Sequence, residues 1–336
     1  PKAGTAYFRW HWRDLEPARG KIRFDLIDRT IQSANAAGMT LGFRVMTIKD
    51  GKVGVPDWLL AAPYSIKGEK RPGTSGVTHW PDHRDKTYLA EHERFISALG
   101  KRYDGHPGLD HIDMGTVGCW GEWNTACLKS SESIVEVFKP ADAKEREGIV
   151  AAYKTVIDHH LKAFPRTPKL MLGIGSSKGP LVEIMTHAVK GGAGWRVDCW
   201  GDWGYFGGSW NHHEKSYPQM IANVTAAWPG FTDHWKKAPI HLEVCGTMPQ
   251  WYAKGWKTTA PDGKVHKTFQ WALAQHASIL NGKSSKIPAS YVPAIKALQK
   301  KNGYRLVIDS FTHHGKVKAG AETLFSSRWR NLGVSP

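Results

Sequence analysis

The stretch that organises this chain is residues 113–124, which read DMGTVGCWGEWN. A largely apolar run over residues 112–117 enters it, and such a run ended by turn residues is typical of a buried strand. Glycines at the end of a strand let the backbone bend or a ligand approach closely. Glu122 follows between Trp120 and Trp123, in apolar surroundings that raise the pKa of a carboxyl. The pattern predicts a general acid beside rings that hold sugars, and the alternative is a structural ion pair to an arginine of a neighbouring strand.

Strand and helix patterns alternate on both sides of this stretch. Helical spacing of apolar residues, for example over residues 24–37 and 143–164, separates short runs that predict strands. The predicted strands cover residues 7–12, 41–46, 112–117, 169–174, 196–200, 239–244 and 276–280. Such alternation is typical of a parallel sheet, and eight βα units close a barrel. The predicted fold class is therefore α/β, a (β/α)8 TIM barrel over residues 1–302.

The strand count leaves two arrangements open. The eighth strand is either residues 304–308 or a first strand that lies before Pro1. In the first arrangement residues 303–336 hold the last strand of the barrel. In the second they begin a C-terminal β-rich domain. No signal peptide is visible, which indicates a processed or trimmed chain.

The composition restricts the partners. The formal net charge is +16, from 46 Lys and Arg against 30 Asp and Glu, and this favours polyanions. No nucleic-acid-binding motif is recognisable, so nucleic acid is not the predicted partner. A sulfated or uronic-acid polysaccharide is the other polyanion, and a basic surface without a specific partner is the simpler interpretation. No apolar run approaches the ~20 residues that span a bilayer, so no membrane partner is predicted. The 16 tryptophans indicate a binding surface.

The cysteines and histidines do not suggest a metal. Four cysteines, Cys119, Cys127, Cys199 and Cys245, are too few for a disulfide scaffold in a chain of this length. Buried free thiols are predicted, and a bridge between the first two is the alternative. None of the cysteines has zinc-ligand spacing, and no predicted strand carries His-x-His among the 17 histidines. The sequence therefore predicts no cofactor and no metal.

Short motifs lie in and after the predicted strands and in the helix predicted over residues 24–37. They are FRWHW at residues 8–12, LEP at 15–17, LID at 26–28, VPDWL at 55–59, GCWGEW at 118–123 and LE at 242–243. Together they resemble the barrels of family 42-type glycoside hydrolases in clan A, over residues 5–283. The resemblance implies that Glu122 ends the fourth strand and Glu243 the seventh. It favours the arrangement with a first strand before Pro1 and a β-rich domain that begins near the C-terminus.

The resemblance also implies a reaction. It points to a divergent, β-galactosidase-like glycosidase of the retaining type that cleaves a poly- or oligosaccharide, an anionic one if the net charge guides the choice. In a retaining reaction the two carboxyls lie ~5–5.5 Å apart. Glu243 is then the nucleophile, and Glu122 protonates the leaving oxygen and afterwards activates water. An arginine such as Arg9 or Arg44 is expected to keep Glu243 ionised.

One position departs from the family's pattern. Gly121 precedes Glu122, where clan members carry an asparagine that steadies the sugar 2-hydroxyl. Asn124 takes that role only if the loop turns back. The departure favours a competing class, a non-catalytic carbohydrate-binding TIM barrel. A metal-dependent hydrolase is a third class, which loss of activity to a chelator would identify.

Further residues at strand ends and in aromatic loops are predicted to bind the substrate. They are Arg9, His11, Arg44, Trp120, Trp123, Asn124, Asp202, Trp203, Asn281 and Lys283. The alternative for the weaker candidates is an ordinary role, such as a loop cap or a core hydrogen bond. The expected partner is a carbohydrate, and the expected location is secreted or periplasmic.

Overall fold

The computed structural model describes residues 3–139, 142–174, 178–204 and 211–335. Its strands are β1 (Thr5–His11), β2 (Thr40–Met46), β3 (Ile48–Lys49), β4 (Lys52–Val53), β5 (Gly68–Gly73), β6 (Gly76–Pro81), β7 (Leu109–Asp113), β8 (Lys169–Leu172), β9 (Gly194–Trp200), β10 (Ile240–Val244), β11 (Ile279–Asn281), β12 (Leu306–Thr312) and β13 (Ser326–Asn331). Its α-helices are α1 (Trp12–Leu15), α2 (Phe24–Ala36), α3 (Asp57–Leu60), α4 (Lys86–Tyr103), α5 (Ala143–Ala163), α6 (Pro180–Lys190), α7 (Tyr217–Ala227), α8 (Met248–Ala253), α9 (Lys264–Ala274) and α10 (Val292–Gln299).

Seven strands form one parallel sheet, in the order β1-β2-β7-β8-β9-β10-β11. Parallel neighbouring strands require crossover connections. At least one α-helix lies in the connection between each two consecutive strands of this sheet. These seven strands correspond to the seven predicted from the sequence, with ends displaced by a few residues. The α/β alternation of a parallel sheet is therefore confirmed, and closure by an eighth strand stays a prediction.

The sheet curls, so that strands distant in its order face one another. The ring of Tyr7 on β1 lies 5.7 Å from the ring of His241 on β10 and 6.0 Å from that of His111 on β7. All five residues of β10 are buried, and Ile240, Leu242 and Val244 belong to the apolar core. Because side chains alternate along a strand, His241 and its neighbour two residues on, Glu243, face the inside of the curl.

The C-terminal residues form a separate hairpin. β12 pairs with β13 in antiparallel fashion, with Ile308 opposite Trp329. Within the described residues, β12 therefore does not join the parallel sheet, in contrast to the arrangement in which residues 304–308 supply its eighth strand. That these residues begin a β-rich domain stays a prediction.

The helices begin and end at the residues that the sequence marks. α5 starts after Asp142, whose side chain accepts a hydrogen bond from the backbone of Glu145, and it ends before Phe164 and Pro165. Asp85 caps α4 in the same way, through the amides of the second and third residues after it. No helix in the described ranges is long and apolar enough to cross a bilayer.

The prediction of four free thiols is wrong. Cys119 is bonded to Cys127, with Cα atoms 5.6 Å apart, and Cys199 is bonded to Cys245. The first bond closes the loop that carries Glu122. The second joins the ends of β9 and β10, which are neighbours in the sheet although 46 residues separate the cysteines. The first bond is the bridge that the sequence offered as the alternative to free thiols. The second was not predicted, because it arises from the pairing of β9 and β10 in the sheet rather than from spacing in the sequence.

Candidate active site

Glu122 and Glu243 line the same cavity, whose volume is about 660 Å³, at the carboxyl ends of the parallel strands. The other lining residues are Arg9, Trp120, Asn124, Thr125, Ala126, Ser130, Ser131, Leu172, Gly173, Asp198, Cys199, His212, Tyr217, Gly246 and Lys283. Ligands of α/β barrels bind at this end of the strands. The two carboxylates that the sequence singled out, 121 positions apart in the chain, therefore share one concave site.

A tight turn presents Glu122 to the cavity. Gly118 and Gly121 have φ angles of 81° and 71°, which favour glycine. A Cβ at Gly121 would lie 2.3 Å from the carbonyl oxygen of Gly115, so a larger residue does not fit. The turn brings the chain back onto its own strand, where the Trp123 indole donates to the carbonyl of Met114 at 2.7 Å. The departure at Gly121 thus has a structural cause, namely the close approach of two backbone segments.

The environment of Glu122 favours its protonated form. Burial raises the pKa of this carboxyl, and the negative charges of Asp198 and Glu243 act in the same direction. Arg44 opposes them, since its Nη2 donates to Glu122 Oε1 at 2.6 Å. The net result is a raised pKa, as a general acid requires. The contact with an arginine of a neighbouring strand, which the sequence offered as the alternative, is also present as the 2.6 Å hydrogen bond from Arg44, and it is an ion pair only when Glu122 is ionised.

The environment of Glu243 favours its ionised form. Burial raises the pKa of this carboxyl, but Arg196, Lys283 and Arg44 together outweigh burial and leave the pKa lowered. Arg196 Nη2 donates to Glu243 Oε2 at 2.6 Å, and Lys283 Nζ lies 3.2 Å from Oε1. The amide of Asn281 donates to Oε2 at 3.2 Å. Two buried carboxyls whose pKa values are moved apart are typical of an acid and a nucleophile.

Arg196 is one of the site residues that sequence reasoning missed. The expected cation beside Glu243 was Arg9 or Arg44, whereas the structure puts Arg196 of β9 there, because β9 and β10 are neighbours with His241 opposite Arg196. Arg44 pairs instead with Glu122. The only sequence signal for Arg196 was its position in a predicted strand.

Asp113 links the two arginines below the cavity. Its Oδ2 lies 3.2 Å from Arg196 Nη1 and 4.0 Å from Arg44 Nη1, and the Tyr7 hydroxyl donates to the same oxygen. All three charged side chains are buried. Asp113 thus lies against Arg196 and close to Arg44, whose guanidinium groups contact Glu243 and Glu122, respectively.

Six of the ten predicted substrate contacts lie at the cavity or bind its carboxylates. Arg9, Trp120, Asn124 and Lys283 line the cavity. Arg44 and Asn281 contact Glu122 and Glu243, respectively. Among these six residues Trp120 is the one tryptophan, and this residue is 36% exposed.

The other four predicted contacts lie elsewhere. Trp123 is 1% exposed and belongs to the core, and Trp203 stacks on His213 with ring centroids 4.3 Å apart. His11 Nδ1 lies 3.3 Å from Oδ2 of Asp14, three residues later in the chain. These positions do not support direct contact with a ligand, because the turn after β7 and the loop after β9 direct the rings inward.

Asp202 acts through a neighbour. It is fully buried, and its Oδ2 lies 2.6 Å from Nδ1 of His212, which lines the cavity. Asp202 therefore orients a cavity residue and does not face the cavity itself. His212, like Asp198 and Tyr217, was not among the predicted site residues. Asp198 lies two residues after Arg196 on a predicted strand, so both side chains lie on the same face of the sheet. That spacing is the sequence signal that would have identified Asp198.

Comparison with known proteins agrees with the resemblance for the first third of the chain. The model of the family Glyco_hydro_42, described as β-galactosidase, matches residues 3–117. This match confirms the resemblance over that range, which ends before Glu122. No curated protein matches the chain.

Several solved structures are similar at low identity. One is a β-galactosidase from the psychrophilic Marinomonas ef1, with 12% identity and a TM-score of 0.48 over 88% of this chain and 55% of that one. Another is endo-glycoceramidase II from Rhodococcus sp. in its cellobiose-like imidazole complex, with 11% identity and a TM-score of 0.46 over 84% of this chain and 66% of that one. The chain thus spans about half the length of the first of these proteins.

Proposed function

We propose that the chain is a glycoside hydrolase of the retaining type, with Glu243 as the nucleophile and Glu122 as the acid/base. The observation that carries the proposal is the pair of opposite pKa shifts in one cavity: raised for Glu122 and lowered for Glu243. A nucleophile must be ionised and a general acid protonated at the same pH, and pKa shifts in these opposite directions favour that combination. The proposed barrel fold agrees with the seven parallel strands and with the family match over residues 3–117.

The reaction takes two steps. In the first, Glu243 attacks the anomeric carbon while the Glu122 carboxylic acid donates its proton to the glycosidic oxygen, so that the carbon–oxygen bond breaks and the alcohol leaves. In the second, the Glu122 carboxylate takes a proton from water, which attacks the same carbon and releases Glu243. Trp120, exposed at the cavity, offers a face for a sugar ring.

The test uses Glu122→Gln and Glu243→Gln variants on a panel of neutral and anionic glycans. Both are expected to lose at least ~100-fold in kcat, since general acid–base catalysis alone contributes that much. Proton NMR of the first product formed reports its anomeric configuration, and retention is expected. Wild-type turnover in both variants would refute the assignments. Inversion would refute the retaining mechanism alone.

The competing function is a carbohydrate-binding barrel without catalysis, and Gly121 is the observation that favours it. The close approach of Gly121 to Gly115 weakens that argument, because packing explains the glycine without reference to activity. Binding of a glycan that the wild-type chain never cleaves would establish this second function.

We further propose that the glycan substrate is anionic. Arg9 and Lys283 line the cavity, and the chain carries a net charge of +16. Salt screens exposed charges, so affinity for a sulfated or uronic-acid oligosaccharide should fall as ionic strength rises, whereas affinity for a neutral one should not. Equal salt dependence for the two ligands would exclude this substrate class.

We infer export to an oxidising compartment. Two disulfides, Cys119–Cys127 and Cys199–Cys245, support this location, because disulfides persist mainly in secreted and periplasmic proteins. Free-thiol titration of protein isolated from its native host would check it, with no accessible thiol expected after denaturation.

A further inference from the structure

A group of three potential ligands lies inside the curled sheet, one layer below the carboxylates of the cavity. His111 and Asp113 come from β7 and His241 from β10, and all three are buried. One nitrogen or oxygen atom from each lies within 4.8 Å of the others. The strands β8 and β9 separate β7 from β10 in the sheet, so the group exists only because the sheet curls.

The ligand atoms of this group have no other partner. Within the described part of the chain, His111 Nε2, Asp113 Oδ1 and both ring nitrogens of His241 are buried without a hydrogen bond. Buried polar atoms are almost always paired, because an unpaired one loses its hydration without compensation. One such atom from each of the three residues lies within 4.8 Å of the other two, which indicates that something else occupies the space between them.

The surrounding contacts orient two of the three side chains. His111 Nδ1 lies 2.7 Å from Asp110 Oδ2, which places the proton on that nitrogen and directs the lone pair of Nε2 into the group. Asp113 engages Tyr7 and Arg196 through Oδ2, which leaves Oδ1 free to face the same point. A carboxylate behind a histidine is the usual outer support of a metal-binding imidazole.

The geometry fits a single ion of the size of zinc. His111 Nε2 and Asp113 Oδ1 are 3.9 Å apart. Tetrahedral ligands that each lie ~2.0–2.2 Å from one ion are roughly 3.3–3.6 Å apart, so the two atoms need to approach by only a few tenths of an ångström to share an ion. Gly42 provides the room for the His111 ring, since a Cβ there would lie 2.3 Å from the imidazole Cε1.

A second cavity lies at the opposite end of the sheet. Its volume is about 620 Å³, and it is lined by Asp110 and His111, together with residues at the amino ends of the strands such as Pro168 and Pro239. This cavity reaches His111 from the end of the strands away from the cavity of Glu122 and Glu243.

The local charges do not exclude a cation. Arg196 and Arg44 are nearby and repel it. Arg196 contacts Glu243 Oε2 at 2.6 Å and Asp113 Oδ2 at 3.2 Å, and Arg44 contacts Glu122 Oε1 at 2.6 Å. Asp110 and Asp113 face the group from β7, and the carboxylates paired with the two arginines offset the guanidinium charges.

We propose that His111 Nε2, Asp113 Oδ1 and one ring nitrogen of His241 bind one divalent transition-metal ion, with zinc as the physiological occupant. Two imidazoles and a carboxylate are zinc ligands, and water completes a tetrahedral shell. The ion is structural. It fixes Asp113, and through Asp113 the two arginines that contact Glu122 and Glu243. The site does not depend on the proposed glycosidase activity.

The test measures metal content. The full chain, without a polyhistidine tag, is purified from zinc-supplemented medium and analysed by inductively coupled plasma mass spectrometry after gel filtration. About one zinc per chain is expected for the wild type. His111→Gln and His241→Gln should lose it. The matched control is His187→Gln, which removes a histidine that pairs with Asp158 at 2.6 Å on the exposed face of α6 and should retain the metal.

A second measurement guards against variants that do not fold. Cobalt loaded into the wild-type protein should give the visible ligand-field absorption of a tetrahedral site, and added zinc should abolish it. Zinc content in the wild type no higher than in folded His241→Gln, equal loss in the His187→Gln control, or a cobalt spectrum of the hydrated ion only would each overturn the proposal and leave ordered water as the occupant.

Discussion

Arg196 joins Glu243 to Asp113: its Nη2 lies 2.6 Å from Glu243 Oε2, and its Nη1 lies 3.2 Å from Asp113 Oδ2. The guanidinium is 1% exposed. Arg196 makes the largest contribution among the cations that lower the pKa of the proposed nucleophile, and it also contacts Asp113 below the cavity. The chemistry of Glu243 therefore depends on a residue that never needs to touch a substrate.

Removal of Arg196 should damage both stability and activity. Arg196→Met leaves two buried carboxylates without their partner, and breaking a buried ion pair in this way costs roughly 3–5 kcal/mol. Urea unfolding measures the loss. Arg29→Met is the control, because Arg29 pairs with Asp25 at an exposed site and should cost only ~0–1 kcal/mol. Similar losses in the two variants would contradict the role given to Arg196.

The pH dependence of kcat/KM should be bell-shaped. As pH falls through the lowered pKa of Glu243, the nucleophile gains a proton and the rate falls. As pH rises through the raised pKa of Glu122, the acid loses its proton and the rate falls again. In Glu122→Gln, a substrate with a good leaving group should retain the acid limb and lose the alkaline limb. An unchanged alkaline limb would assign it to another residue.

The same shifts have opposite effects on stability. The pKa of Glu243 is lower in the folded protein than in the unfolded chain. Its ionisation therefore adds to the free energy of unfolding above the unfolded-state pKa, and this contribution is lost as the pH falls through the folded-state pKa. The pKa of Glu122 is higher in the folded protein than in the unfolded chain. Its protonated form therefore adds to the free energy of unfolding below the unfolded-state pKa, and this contribution is lost as the pH rises through the folded-state pKa. Thermal unfolding of Glu122→Gln should therefore vary less than that of the wild type as pH rises above the ordinary carboxyl range.

Two adjacent tryptophans should respond in different ways. Trp120 is partly exposed at the cavity, so Trp120→Ala should raise KM for a glycan with little change in melting temperature. Trp123 is buried, and its indole donates a hydrogen bond to the carbonyl of Met114, so Trp123→Ala should cost about 3–5 kcal/mol of folding free energy. Kinetics and denaturant unfolding of both variants check this pair. A melting temperature lowered equally by both substitutions would place Trp120 in the core as well.

Restoring the family's asparagine should not improve the protein. Gly121→Asn introduces a Cβ at 2.3 Å from the Gly115 carbonyl oxygen, and overpacking of this kind costs ~1–3 kcal/mol. We expect a lower melting temperature and a lower kcat, because the turn that positions Glu122 must shift. Gly148→Asn on the surface of α5, where a Cβ meets no atom within 4 Å, is the control for the substitution itself. A gain in activity for Gly121→Asn would show that the turn tolerates the family's residue.

Much of the fold was predictable because its signals are local. Apolar runs and helical spacing located the seven strands and the helix that begins at Ala143, since burial of one face imposes those periods. The same reasoning found Glu122 and Glu243 at strand ends, where parallel strands deliver side chains to one rim. The long-range partners escaped: Arg196 instead of Arg9 or Arg44, and the pairing of Cys199 with Cys245.

The sequence by itself determined the alternation of strands and helices, the motifs shared with a glycosidase family and the two candidate carboxylates, because each of these is written in neighbouring residues. Only the tertiary structure decided which cation stands beside which carboxylate, which tryptophans reach the cavity, and that His111, Asp113 and His241 converge. The physical reason is that these relationships depend on sheet order and curl, which bring together residues 47 positions apart, as in Arg196 and Glu243, or 78 apart, as in Arg44 and Glu122, and no local pattern encodes such a contact.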